Sequence, residues 1–93
     1  MDKEIKNKMF ANSGIHFISG ANTVEGTFYG ISVGYTKPDS IKVTPIQEMY
    51  INGAAVTSDT ELVDFLNEGE FVPIMCSSIT TTGTGYLKAY ITQ

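Results

Sequence analysis

His16 and Cys76 are the only histidine and the only cysteine of the chain. A thiol activated by a neighbouring imidazole is a familiar nucleophile. Cys76, however, lies in the stretch EFVPIMCSSITTTGTGYLKAYIT, where it alternates with Val72 and Ile74 on one face of a strand. A cysteine in that setting behaves as a small buried hydrophobe, so catalysis by this pair is not expected. One histidine cannot make a two-imidazole metal site. Glu61, Asp64, Glu68 and Glu70 crowd one segment, and on a helix Asp64 and Glu68 would repel across one turn. The ordered oxygen ligands and the glycine of an EF-hand loop are missing there. That cluster therefore reads as a solvated face. The glycine-rich TTTGTG of Thr80–Gly85 runs into LKAYIT. A phosphate loop needs a helix at that point and, in its Walker form, a lysine. The expectation is no enzyme, no catalytic residue, no metal and no cofactor.

Five Tyr and five Phe with no Trp are the remaining resource. Most are needed for a core. Any left over form a surface that fits a glycan, which keeps a carbohydrate-binding module for host adsorption among the alternatives.

Charge narrows the partners. The net charge is −4, there is no Arg, and three of the six Lys fall in the first eight residues. Nucleic-acid binding needs a basic face that releases counterions, so no nucleic acid is expected. No apolar run reaches the ~18 residues of a membrane span, and MDKEIKNKMF lacks the apolar stretch of a secretory signal. No membrane partner and no export are expected. Charged residues are only 17% against 42% hydrophobic, a balance that suits a β-domain burying surface against partners.

The elements that must carry such a surface are mostly strands. Residues 1–13 read as an N-terminal arm, with Ile5, Met9 and Phe10 as a weak helical stripe that would lie on a neighbour. Residues 14–93 read as one β-sandwich domain. GIHFIS is a short strand and Gly20–Asn22 a turn. In TVEGTFYGISVGY, period two puts Tyr29, Ile31, Val33 and Tyr35 on one face and Gly26, Phe28, Gly30, Ser32 and Gly34 on the other. Glycines weaken a strand, so they imply bulges or a close backbone approach, either within the chain or from another subunit. TKPD is a turn. SIKVTPI alternates Ile41 and Val43 with Lys42 and Thr44, and Pro45 ends it. Asn52-Gly53 between apolar runs predicts a two-residue hairpin. Ser58 and Glu61 have capping-box spacing, and Leu62, Phe65 and Leu66 share a helical face, so a short helix is predicted over Asp59–Glu68, ended by Gly69, with a strand across part of the segment as the alternative. In Phe71–Cys76 both faces are apolar, which predicts a strand covered on both sides, at an edge or bulged where Pro73 falls. In the last strand Leu87, Ala89 and Ile91 point inward and Tyr86, Lys88, Tyr90 and Thr92 outward. The fold class expected is mainly β: a small antiparallel β-sandwich or partly closed barrel with one short helix.

Two stretches together resemble a known group. GISVGYTKPDSIKV is followed, in order, by Gly69, Phe71, Pro73-Ile74, Thr82-Gly83-Thr84 and Ala89-Tyr90. This series resembles the small β-rich structural proteins of tailed-bacteriophage virions, of the capsid-auxiliary (decoration) or spike-base type. The resemblance implies a non-enzymatic protein made in the host cytoplasm and resident in the virion. It would dock on the major capsid protein, or on other virion structural proteins, and stabilise the assembled head shell. A trimeric spike, fibre-base or tail fitting is the alternative within the group, with a homotrimer as its assembly. The contact candidates are Ile5, Met9 and Phe10 of the arm and Gly26, Phe28, Gly30 and Gly34 of the glycine-bearing strand.

Overall fold

The computed structural model describes residues 13–92, so Ile5, Met9 and Phe10 lie outside the described residues. The chain is mainly β and antiparallel. Five strands form one sheet: β1 (Ser13–Ser19), β2 (Asn22–Val33), β3 (Ser40–Pro45), β6 (Phe71–Thr82) and β7 (Tyr86–Thr92). Their order across the sheet is β1-β7-β2-β6-β3. A separate two-stranded hairpin joins β4 (Tyr50–Ile51) to β5 (Ala54–Ala55). Its turn holds Asn52 at φ 51° and Gly53 at φ 82°, the double positive φ that the Asn-Gly pair favours.

The topology forces the sheet to coil. β2 runs antiparallel to both of its neighbours. Thr81 near the end of β6 pairs with Asn22 at the start of β2, whereas Leu87 near the start of β7 pairs with Val33 at the end of β2. A straight strand of that length would hold those points roughly 36 Å apart, yet only Gly83, Thr84 and Gly85 join β6 to β7. The two long strands bend to solve this. The register of β2 on β6 shifts between Glu25 and Phe28 and again between Phe28 and Gly30. β3 shifts against β6 at the matching level, between Thr44 and Pro45. Bulges bend a strand and raise its twist. Both ends of β2 thereby reach one rim of the sheet. There Gly20 N–H donates to Gly85 O at 3.2 Å, Tyr86 N–H to Thr36 O at 3.0 Å, and Asp39 N–H to Thr82 O at 2.8 Å. The buried Thr81 hydroxyl donates to Gly20 O at 2.7 Å. The sheet does not close, because β1 and β3 do not pair.

The inner face of the coil makes one core. Ile18, Ile31, Ile41, Ile79, Leu87 and Ala89 are each 0–1% exposed, and burying each large aliphatic stabilises by about 1.5–3 kcal/mol. The β4–β5 hairpin and the segment after it cover this face, contributing Val56, Leu62 and Leu66.

That cover is not the predicted helix. Only a 3₁₀ turn forms, over Val63–Phe65. The cause is Glu61, whose carboxylate accepts from Ile41 N–H at 2.7 Å and from Val63 N–H at 3.0 Å. The box residue thus serves the edge of β3, where Leu62 N–H also donates to Ile41 O at 2.8 Å. Ser58 sits in a turn closed by Thr60 N–H donating to Thr57 O at 3.0 Å. Lys37 Nζ donates to Val63 O and Leu66 O at 3.3 and 3.0 Å, holding the turn against the rim. Phe65 stays half exposed while Leu62 and Leu66 are buried. A segment this short has no stable helix of its own, so these tertiary bonds decide its path.

Two face assignments also change. The bulge puts two residues between Phe28 and Ile31, so Phe28, Ile31 and Val33 all face the core. On β6, Ile74 and Cys76 are buried, but Phe71 and Pro73 are exposed, so this strand is covered on one side only. β3 reaches along β6 no further than Cys76, which leaves Pro73 paired only with Gly30 of β2.

A β-carbon at Gly85 would overlap the Lys37 carbonyl and the Pro38 nitrogen, whereas one at Gly53 meets nothing. Gly85→Ala should lose about 2–3 kcal/mol of unfolding free energy through overpacking. Gly53→Ala should lose only about 1 kcal/mol, from its positive φ. Thermal unfolding of the two variants side by side checks the difference. Glu61→Ala strips two backbone N–H groups of their acceptor and should cost about 2 kcal/mol, read from a lower urea midpoint at unchanged slope.

Candidate functional site

The outer face of the sheet carries the aromatic residues that the core leaves out. The alternation of β7 sends Tyr86, Lys88 and Tyr90 outward, and on β6 Phe71 faces the same way. Phe71 and Tyr90 meet edge to face, with ring centroids 4.9 Å apart and planes at 81°. Tyr29, turned outward by the bulge, joins them at 5.9 Å from Tyr90 and 6.1 Å from Phe71. Such pairs add about 0.5–1.5 kcal/mol beyond area burial.

Gly30 of β2 and Gly34 just after it lie under outward rings. A β-carbon at Gly30 would overlap the Phe71 ring, and one at Gly34 would overlap the Tyr86 ring. Ser32 lies between them in sequence, 7% exposed, and its hydroxyl shares a 3.3 Å hydrogen bond with the Tyr90 hydroxyl, either group able to donate. Beyond Gly34 stands Tyr35, 89% exposed. The loop after the 3₁₀ turn completes the site. Gly69, at φ 76°, donates its N–H to Val33 O at 2.9 Å, which brings Glu68 and Gly69 beside the end of β2. The result is an open groove of about 530 Å³ lined by aromatic rings, Ser32, one cation (Lys88) and one carboxylate (Glu68). Lys88 Nζ also lies 5.9 Å from the centre of the Phe17 ring on β1.

The contact candidates of β2 occupy different places. Phe28 is 1% exposed in the core and offers nothing to a partner. Gly30 and Gly34 are covered by rings of the same chain, the within-chain explanation for a glycine-rich face. Gly26 is exposed, with its own neighbour Phe28 beside it. The groove takes its lining from three strands and the loop segments at 35 and 68–69, and its rings from β6, β7 and Tyr35. Sequence alternation identifies Tyr86 and Tyr90 as outward, but nothing local says which glycines they cover.

His16 and Cys76 stand apart. His16 is exposed on β1, while Cys76 is buried three strands away in β6. Among the described residues no group of three or more His, Cys, Asp or Glu is placed to hold a metal ion. Burial pushes the Cys76 thiol up from 9.0 to about 11. Its thiolate therefore forms in the unfolded chain well before it forms in the folded one. The contribution is neutral below pH 9, and stability should fall as the pH rises from about 9 to about 11. Chemical denaturation at stepped alkaline pH, run on the wild type and on Cys76→Ala, checks this: the variant should lack that part of the loss. A disulfide reagent should label the native thiol only at the rate of opening.

Compared with family models, curated proteins and solved structures, the chain matches none.

Proposed function

We propose that the chain is a non-enzymatic virion structural protein, a capsid-auxiliary (decoration) protein that docks on the assembled head shell and stabilises it. One observation carries this reading. Four residues of the phage-protein resemblance, Gly30, Phe71, Pro73 and Tyr90, scattered along the chain, meet on one outer face, while Ile31, Val33, Ile41, Val43, Ile74 and Ala89 of the same series build the core beneath it. Gly30 pairs with Pro73 on one side and with Tyr90 on the other, and the Phe71 ring lies over it.

The edges of the sheet suggest how docking occurs. The edge of β3 is closed by Glu61 and Leu62. Among the described residues, β1 has β7 on one side and no strand on the other. Its sequence SGIHFIS has no Lys, Glu, Asp or Pro, the usual devices that blunt an edge. Ile15 and Phe17 are 49% and 63% exposed. A strand of the major capsid protein added to β1 would gain main-chain hydrogen bonds, with these two side chains setting register. One such contact is modest, and repetition around a symmetric shell makes it effective. Binding only the assembled state stabilises that state by mass action.

Quantitative mass spectrometry of purified virions should find this chain in hundreds of copies per particle. About a dozen copies would instead assign it to a vertex or tail fitting, and its absence from particles would overturn the reading. In a pelleting assay with purified shells, Ile15→Lys/Phe17→Lys should lower binding at least about tenfold, with the unfolding temperature nearly unchanged because both side chains are exposed.

A further inference from the structure

We infer that the groove on the outer face is a subsite for a neutral oligosaccharide. This is a second activity, separate from shell docking, and it does not rest on the β1 edge. The lining decides the class of ligand. Phe71 lies against Gly30 of β2 and Tyr86 against Gly34, the residue after β2. Those positions are roughly 13 Å apart along a strand, with Ser32 between them. A pyranose ring presents C–H patches on its faces and hydroxyls around its rim. The faces pack on aromatic rings, and the hydroxyls need both donors and acceptors. Ser32 and Tyr90 hydroxyls do both, Glu68 accepts and Lys88 donates. The two backbone positions that carry the rings are farther apart along the chain than one sugar ring is long, so a chain of sugars fits better than a monosaccharide.

Charge excludes the competing classes. One cation and one carboxylate give the groove no net charge, and the whole chain carries −4. A single-stranded nucleic acid, which also stacks on aromatic rings, needs a positive track that is not present here. A proline-rich peptide docks in aromatic grooves as well. A polyproline backbone, however, offers only carbonyl acceptors and leaves the Glu68 carboxylate without a donor.

The test is amide NMR of the full chain with linear hexasaccharides of glucose, mannose and N-acetylglucosamine, each titrated to millimolar concentration. With at least one of them, shifts should gather at Ser32–Tyr35, Glu68–Phe71 and Tyr86–Tyr90, and the matching monosaccharide should bind more weakly. Tyr35→Ala should weaken binding roughly three- to tenfold. This variant cannot fail through misfolding, because Tyr35 is 89% exposed. Glu68→Gln, also at an exposed position, should weaken binding by a smaller factor. Absence of shifts with all three sugars overturns the inference. So do shifts given only by a polyproline peptide, or sugar shifts that stay the same in both variants. The titration uses the isolated chain and no shells, which keeps this result independent of the shell-docking result.

Discussion

The bend shared by β2 and β6 is the constraint from which the other features follow. Both strands are twelve residues long, and both break register at the same level. Had they stayed straight, a three-residue link could not carry the chain from the far end of β6 to the start of β7. With the bend, Gly20, Asp39, Thr82, Gly85 and Tyr86 meet at one rim, tied by backbone hydrogen bonds. The bend also rotates Phe28 into the core and Tyr29 out of it. The apolar core and the aromatic outer face are thus two results of one irregularity.

This explains what the sequence could and could not reveal. Alternation placed Ile41, Val43, Leu87 and Ala89 inward, and all four are buried. The Asn52-Gly53 hairpin was legible because its turn is a property of two adjacent residues. The bulge in β2 was legible only as a need, through its glycines, and not as a position. Period-two counting therefore put Phe28 on the wrong face. The helix over Asp59–Glu68 failed because its capping signal is a local one. The Glu61 carboxylate finds a backbone N–H twenty residues away, and a pattern confined to neighbouring residues cannot anticipate that.

The groove was hidden for the same reason. Its rings come from residues 35, 71, 86 and 90, and those of 71 and 86 rest on glycines at 30 and 34. Ser32 and Tyr90, joined by hydroxyls, are 58 positions apart. Aromatic content hinted at a ligand surface, and strand alternation sorted inward from outward, but pairing set the site. The two edges differ: β3 is sealed by a carboxylate, whereas among the described residues no strand lies beyond β1, and the groove faces away from the core.

Of the five strands of the large sheet only β3 and β6 pair with a strand next to them in chain order, and β7, the last of the five, lies in the sheet's interior between β1 and β2. Emerging from the ribosome, β1 therefore has no partner in this sheet until β7 follows. Throughout that interval its bare apolar edge and one side of β2 stay open to any passing strand. The sheet therefore cannot be completed until its last strand is available, and pairings between residues far apart in sequence set the pace of folding.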